Sequence, residues 1–189
     1  VKSYFEHVQD FLKKSNADII GLQEVSGNDN SRDTVSLLTN LGYKHVFSPQ
    51  LRPWAGNGRT DGPAIFTKYE ITKSKKYMLS EENGVGAVQA DIDVNGETIH
   101  FFCTHLSHTH QIDSDLQIEQ INKLLKLIPT EHSVLAGDFN ALPSSETIKK
   151  VKEQLVDVDN DNQPTWSMYP EGCDVCKPTK VNIRLDYIF

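Results

Sequence analysis

The sequence contains few cysteines, no long apolar run and no excess of basic residues. Its 189 residues include 3 cysteines, which are too few for a disulfide framework. No apolar run approaches the roughly 18 residues of a membrane-spanning helix, so we expect no transmembrane segment.

Lys and Arg number 19 against 26 Asp and Glu, which gives a net charge of −7. Because non-specific binding to nucleic acid depends on neutralising phosphates, this balance argues against a general nucleic-acid coat protein. It does not exclude an enzyme that brings its own metal to a phosphate.

Repeats, linkers and low-complexity segments are also absent, and 38% apolar residues are enough to form the core of one domain. Helical periodicity occurs in four stretches, namely 4–12, 35–41, 112–128 and 145–155. Short apolar runs typical of strands lie between them. Alternating residues 88–94 lead through Asn95-Gly96 into 98–106, the strongest local signal for a β-hairpin. Interleaved helices and strands with an antiparallel hairpin predict a mixed α/β layered sandwich.

The two ends of the sequence lie inside patterned segments. Val1 precedes an amphipathic stretch without a Met, and Phe189 ends an alternating run that begins at Val181 and predicts a strand. We therefore expect a piece of a longer chain. Its compartment is not readable from the sequence.

Polar residues follow several of the predicted strands. Glu24 ends one apolar run, His105 ends another, Asp138 and Asn140 follow a third, and Asp186 lies inside the last. An acid or amide at a strand end commonly caps a helix or orders a turn. Four such sites in one small domain favour a shared role, because burying carboxylates is costly unless a cation or hydrogen-bond donors compensate. A common metal site accounts for all of them.

The segments that carry these residues resemble the endonuclease/exonuclease/phosphatase superfamily, the deoxyribonuclease I-like metal-dependent phosphoesterases. They occur in the order of that superfamily, as DIIGLQEV at 18–25, GPAIFTK at 62–68, THL at 104–106, GDFNA at 137–141 and RLDYIF at 184–189. The resemblance implies a four-layer α/β/β/α sandwich of two mixed sheets flanked by helices. It also implies one domain over 1–189 that lacks the first strand of the superfamily and its C-terminal Ser-Asp-His segment.

Each site residue takes its role from the same resemblance. Glu24 matches the metal ligand, and its hard oxygen suits Mg²⁺ or Mn²⁺. Asp138 and Asn140 match the pair that activates the attacking water and holds the phosphate. His105 matches a histidine that acts as general acid or stabilises developing charge. Asp186 matches the acid that orients a second histidine, which belongs to the Ser-Asp-His segment.

The resemblance implies a monomeric hydrolase that attacks a phosphodiester or phosphomonoester in line with an activated water. A nucleic acid, a phospholipid head group and a sugar phosphate all fit as the substrate. The alternative is a non-catalytic binding or scaffold domain that has kept the fold and lost its activity.

Three further features admit other interpretations. His105, His108 and His110 are spaced somewhat like the zinc ligands of β-lactamase-like hydrolases, but the following aspartate is out of register. Cys173 and Cys176 form a Cys-x-x-Cys pair, for which a loop disulfide or two free thiols fit better than half a zinc site. The last feature is the loop 49–62, whose Arg52, Trp54 and Arg59 are candidates for substrate contact, while Trp54 fits equally well as a residue that covers the core.

Overall fold

Two β-sheets pack face to face between two pairs of helices. The structure is a computed structural model that describes residues 4–51, 58–159, 161–166 and 181–189. The helices are α1 (Tyr4–Ser15), α2 (Thr34–Asn40), α3 (Asp115–Leu125) and α4 (Glu146–Lys152), with a 3₁₀ turn at Asn30–Arg32. The strands are β1 (Ile19–Ser26), β2 (Lys44–Phe47), β3 (Gln50–Leu51), β4 (Thr60–Thr67), β5 (Glu70–Ser80), β6 (Val85–Val94), β7 (Glu97–His105), β8 (Ser133–Asp138) and β9 (Asp186–Ile188).

The first sheet has the order β1-β4-β2, with β3 also paired to β4, and its described pairings are antiparallel. The second sheet has the order β5-β6-β7-β8-β9 and is mixed, because β7 and β8 run parallel while the other neighbours are antiparallel. The β6–β7 hairpin turns at Asn95-Gly96, where both residues have positive φ, as a tight two-residue hairpin requires. The hairpin prediction is confirmed.

Three apolar layers separate the four layers of secondary structure. α1 and α2 pack on the first sheet through Leu12 and Leu38. Ile65 and Val88 belong to the layer between the two sheets, and Ile121 belongs to the layer that α3 and α4 form on the second sheet. The predicted four-layer α/β/β/α sandwich is confirmed.

Two predicted element boundaries differ in the structure. α3 begins at Asp115, because the Ser114 side chain accepts the hydrogen bond from the Leu116 backbone N–H and so caps the helix; Ile112 lies before it and is exposed. The final strand is only three residues long, whereas the alternating pattern predicts it from Val181. Arg184 is drawn instead into hydrogen bonds with a preceding loop.

Some predictions fall on parts of the chain outside the described residues. Arg52 and Trp54 belong to 52–57, and Cys173 and Cys176 belong to 167–180. No helix in the described part of the chain is long and apolar enough to cross a membrane.

Gly137 allows β8 to approach β7 closely. A Cβ at this position would come closer than 3.0 Å to the carbonyl oxygen of Thr104, its register partner on β7. We expect Gly137→Ala to lower the free energy of unfolding by about 3 kcal/mol, because backbone rather than a flexible side chain must move. Urea unfolding followed by circular dichroism measures the loss.

Gly96→Ala is the matched control for this substitution. An added methyl there meets nothing within 4 Å, and only its φ of +91° opposes the change, so a loss of about 1 kcal/mol is expected. Equal losses in the two variants would show that the close approach of β7 and β8 is not what Gly137 provides.

Candidate active site

Three polar side chains form a row across one end of the second sheet. β7 and β8 are parallel, so their carboxyl ends lie together, and His105 is the register partner of Asp138. β9 is antiparallel to β8 and places Asp186 opposite Asp138. Side chains alternate along a strand, and Cys103 and Ala136, two positions before His105 and Asp138, pack toward the first sheet. This polar row (His105, Asp138 and Asp186) therefore faces the first sheet.

Glu24 reaches the same place from the first sheet through a β-bulge. In the β1–β4 pairing, Leu22 is opposite Ala64 and Val25 is opposite Gly62, so Gln23 and Glu24 together face Pro63. Proline has no N–H to contribute to the ladder, which favours a bulge at this position. Glu24 is exposed and has a φ of +52°. The extra residue turns its carboxylate out of both cores and toward the polar row.

Asn140 connects the loops that follow β7 and β8. Its backbone has a φ of +49°, a conformation that asparagine adopts more easily than most residues. Its N–H donates to Asp138 Oδ1 at 2.7 Å, and its Nδ2 donates to the Leu106 carbonyl at 3.0 Å. These bonds keep the buried amide in one orientation beside Asp138.

The contacts of Asn140 assign the tautomer of His105. Asn140 Nδ2 lies 3.0 Å from His105 Nε2. Because the Leu106 carbonyl can only accept, Nδ2 is the donor at this position, and His105 Nε2 must accept its second hydrogen. The neutral ring therefore carries its proton on Nδ1. Asp138 Oδ2 is 3.6 Å from His105 Nε2, beyond hydrogen-bond distance.

These residues line an open cleft with a volume of about 570 Å³. Glu24, His105, Asp138 and Asn140 are among its lining residues, and the others are Arg59, Asp61, Asn83, Val85, Leu106, Ser107, His108, Gln111, Leu116, Trp166 and Leu185. Arg59 also forms an ion pair with Asp61 at 3.0 Å. The cleft thus combines carboxylates, a guanidinium, imidazoles and an indole.

The carboxyl group of Asp138 is held in an unfavourable environment for a charge. Burial, reinforced by the carboxylates of Asp186 and Glu24, raises the pKa of Asp138 to about 7, while the hydrogen bond from Asn140 N–H lowers it. A carboxylate with a pKa near neutrality is a far better proton acceptor than an ordinary one. The same repulsion favours a cation between the acids.

α3 contributes two buried glutamines that the sequence-based reasoning missed. Gln117 Nε2 donates to the carbonyls of Ser107 at 2.7 Å, Phe139 at 3.2 Å and Asn140 at 3.3 Å. Gln120 Nε2 donates to Ser107 Oγ at 2.8 Å, and its Oε1 accepts from Ser107 N–H. Both side chains are buried. The only sequence signal was a pair of amides on the apolar stripe of a predicted helix.

His108, His110 and Cys103 do not belong to the polar row, although His108 lines the same cleft. His108 and His110 lie in the loop after β7, with ring centroids 4.6 Å apart, and His108 Nε2 contacts the Gln111 amide. Among the described residues, no group of three or more His, Cys, Asp or Glu side chains is close enough to enclose a metal ion. Cys103 lies between the sheets, where burial raises the pKa of its thiol to about 12, so it is a neutral packing group.

Comparison with known proteins places this fold and cleft in one family. The sequence matches the model of the Endonuclease/Exonuclease/phosphatase family over residues 2–189. No curated protein sequence matches the chain. The chain belongs to the endonuclease/exonuclease/phosphatase family, a family of phosphoesterases.

Solved structures show the same fold at low sequence identity. The human Nocturnin catalytic domain with a bound sulfate anion is 22% identical, with 97% of this chain and 73% of that chain covered and a TM-score of 0.68. A family protein from Leptotrichia buccalis C-1013-b is 20% identical, with 97% and 79% covered and a TM-score of 0.72. D. rerio TDP2 complexed with a single-strand DNA product is 16% identical, with 97% and 74% covered and a TM-score of 0.70.

Replacing Gln117 by leucine tests whether its amide holds the two loops. The side chain is nearly the same size, but the carbonyls of Ser107, Phe139 and Asn140 lose a donor inside the protein. We expect the free energy of unfolding to fall by about 2 kcal/mol, measured by urea denaturation. Gln154→Leu is the control, since this exposed glutamine also donates to carbonyls and should change stability by less than about 0.5 kcal/mol. A Gln117 variant as stable as this control would contradict the assignment.

The raised pKa of Asp138 predicts a pH dependence of stability in EDTA. The folded protein binds this proton more tightly than the unfolded chain does, whose aspartate has a pKa near 3.8. The stabilising contribution is therefore complete below pH 3.8 and is lost as the pH rises through 7. Asp138→Asn keeps the acceptor for Asn140 N–H and removes the titration.

Between pH 4 and pH 8 the wild type should lose on the order of 3 kcal/mol more than Asp138→Asn, measured by urea unfolding at each pH. Glu24→Gln removes one of the repelling carboxylates and should reduce the difference only in part. If the free energy of unfolding depends on pH in the same way in the wild type and in Asp138→Asn, the pKa of Asp138 is the same in the folded and the unfolded chain.

Proposed function

We propose that this chain is a divalent-metal-dependent phosphoesterase that hydrolyses a phosphodiester or phosphomonoester by in-line attack of an activated water. The observation that carries the proposal is that Glu24, His105, Asp138 and Asn140 line one cleft, with Asp186 opposite Asp138 on the next strand. These residues supply an oxygen ligand for a metal, a base whose pKa is close to neutral pH, and an amide hydrogen-bond donor in one place. Membership of a phosphoesterase family supports this chemistry.

The donor set around Glu24 suits Mg²⁺ or Mn²⁺. These are hard cations, and Mg²⁺ keeps several waters and binds through one or two carboxylates. Glu24 is an exposed carboxylate on the cleft wall, and its charge and that of Asp186 act on Asp138. We assign Glu24 as the residue that would hold the cation. When bound, the cation would offset the negative charge that develops on the phosphoryl oxygens.

Asp138 is the proposed base. Its Oδ1 accepts from Asn140 N–H, which leaves Oδ2, the oxygen that is nearer to His105 Nε2 at 3.6 Å, to take a proton from the attacking water. With a pKa of about 7, this oxygen accepts a proton readily and remains largely ionised at slightly alkaline pH. Activity should therefore rise with pH as Asp138 ionises.

His105 and Asn140 share one hydrogen bond that the substrate would replace. In the free protein both hydrogens of Asn140 Nδ2 are used, one by Leu106 O and one by His105 Nε2. When His105 takes a proton from the solvent on Nε2, the ring becomes an imidazolium and can no longer accept from the amide. One Nδ2 hydrogen is then released toward a phosphoryl oxygen, and the imidazolium can donate to a charged oxygen. Protonation of His105 and phosphate binding by Asn140 are thus coupled in this proposal.

The proposed substrate is a phosphate ester of a nucleic acid, a phospholipid head group or a sugar. Arg59, which also lines the cleft, is a cationic partner for a non-reacting phosphate, and Trp166 offers a flat apolar surface. The sulfate anion in the Nocturnin structure and the DNA product in the TDP2 structure support a site for phosphate groups in this fold. We propose that the chain acts as a monomer.

Hydrolysis of bis(p-nitrophenyl) phosphate tests the proposal directly. We expect release of p-nitrophenol with Mn²⁺ or Mg²⁺, loss of release in EDTA, and a decrease of at least about 100-fold in Asp138→Ala because the base is gone. Asp18→Ala is the matched control, since this exposed carboxylate lies at the start of β1 beside Lys68. It should retain the wild-type rate.

Two outcomes would overturn the proposal. Release that is equal in the wild type and in Asp138→Ala would show that the polar row does not catalyse the reaction. A wild type without release on this compound or on DNA, phospholipid and sugar phosphate panels would favour the non-catalytic scaffold. Release that survives EDTA would refute the metal dependence alone.

A further inference from the structure

Arg184 is a buried cation enclosed by a loop of alternating acids. Aspartates occupy positions 157, 159 and 161 of the chain. The Arg184 side chain is 3% exposed and lies two residues before Asp186. It takes no part in the cleft or in the mechanism proposed above. A buried guanidinium needs compensating acceptors on several sides, and this loop supplies them.

The contacts surround the guanidinium with oxygen atoms. Nη1 donates to Asp157 Oδ2 at 3.0 Å, to the Asp159 carbonyl at 3.1 Å and to Asn162 Oδ1 at 3.0 Å. Nη2 donates to Asp157 Oδ1 at 2.6 Å, which makes the Asp157 pair bidentate. Two carboxylate oxygens, one backbone carbonyl and one amide oxygen therefore converge on one cation.

The loop itself is built like a cation-binding loop. Calcium loops of the EF-hand type place oxygen ligands at positions one, three and five and require a positive φ at position six. Here Asp157, Asp159 and Asp161 take positions one, three and five, and Asn162, at the sixth, has a φ of +51°. Asp159 further accepts from the backbone N–H groups of Asp161 and Gln163. The loop is therefore shaped around its centre by its own side chains.

Arg184 lies at the centre of this loop and is linked to the cleft through neighbouring residues. The guanidinium lies 4.3 Å from the centroid of the Tyr187 ring. Tyr187 Oη donates to the Ala141 carbonyl at 2.8 Å, directly after Asn140. The Leu185 carbonyl accepts from Phe139 N–H at 2.9 Å. Both ends of this connection reach backbone beside a residue of the candidate active site.

We propose that Arg184 is a positioning residue, a resident cation of the acidic loop that fixes Asp186 and Asn140 in the active site. The need for such an anchor follows from the polar row. Asp186 and Asp138 are register partners on adjacent strands, and like charges directly opposite each other destabilise strand pairing. β9 has only three residues with which to resist that repulsion. The oxygen atoms that surround Arg184 hold β9 at the end where Asp186 and Asp138 repel each other.

Amide hydrogen exchange tests the anchor without depending on activity. We expect Arg184→Ala to accelerate exchange of the Phe139 and Tyr187 amides at least about tenfold, because β9 opens locally. The Phe101 and Ala90 amides, which belong to register partners of the β6–β7 pairing, should change less than twofold. Added methylguanidinium should restore protection in this variant, since it can bind in place of the Arg184 guanidinium. It should leave exchange in the wild type unchanged.

Lys152→Ala is the matched control. Lys152 Nζ lies 3.0 Å from the same Asp157 carboxylate, but its side chain does not reach Tyr187 or the cleft. Exchange at Phe139 should remain at the wild-type rate in this variant. Equal acceleration in both variants, uniform acceleration that includes Phe101, or no rescue by methylguanidinium would overturn the proposal.

A second variant covers the case in which Arg184→Ala does not fold. Tyr187→Phe keeps the ring under the guanidinium and removes only the hydroxyl that bonds Ala141. We expect the Asn140 amide, which donates to Asp138 Oδ1, to exchange faster, while the Phe139 amide, which donates to the Leu185 carbonyl, stays protected. Unchanged exchange at Asn140 would overturn the link to Asn140.

The effect on catalysis rests on the proposed function and is measured separately. In the phosphodiester assay, Arg184→Lys should lower kcat by about tenfold and leave KM within twofold, because the reacting groups shift while the substrate contacts remain. Lys152→Ala should change neither. If the wild type shows no hydrolysis, the proposed function fails while the exchange results still decide the anchor.

Discussion

The parallel pairing of β7 with β8 is the constraint on which the site depends. It is the one parallel pairing among the described strands, and it alone brings the ends of two strands to the same edge, so that His105 and Asp138 meet. Parallel neighbours need a crossover connection, which here contains α3. The same helix supplies Gln117 and Gln120, whose amides bind the loops after β7 and β8. The topology thus creates the site and also delivers the groups that order it.

Repulsion between carboxylates is the electrostatic consequence of this arrangement. Asp138 and Asp186 face each other in register, Glu24 approaches from the other sheet, and the pKa of Asp138 rises to about 7. Such a cluster destabilises the fold unless the backbone around it is fixed by other interactions. Asn140, with its bonds to Asp138 and Leu106, fixes one side. Under the proposed function, a cation held by Glu24 would offset this negative charge.

Much of the fold could be predicted from the sequence because its signals are local. The Asn95-Gly96 hairpin and the strands ending at His105 and Asp138 follow from alternation and turn residues that neighbours along the chain determine. Gln117 could not be assigned in this way, since an amide on a helix face carries no chemical signature until the loops it binds are known. Pro63 inside an apolar run indicates a bulge in a neighbouring strand, but it does not indicate which strand pairs there. The final strand was predicted too long because the acidic partners of Arg184 lie more than twenty residues earlier.

The distance between Glu24 and the polar row depends finally on apolar packing. Glu24 belongs to the first sheet and the polar row to the second, so no hydrogen-bond ladder connects them directly. At the end of the sandwich near the site, Gly21 lies against Cys103 and Ala136, and a Cβ added to Gly21 would come within 3.3 Å of Cys103 Sγ. Gly21 is also the register partner of Ile65, and the Phe101 ring lies 3.4 Å from the same Cβ position. Because interiors pack as tightly as crystals, the missing side chain at Gly21 lets the sheets approach around these larger residues, and this packing sets how far the Glu24 carboxylate stands from Asp138. The position of the Glu24 carboxylate therefore depends on uncharged residues that pack between the two sheets.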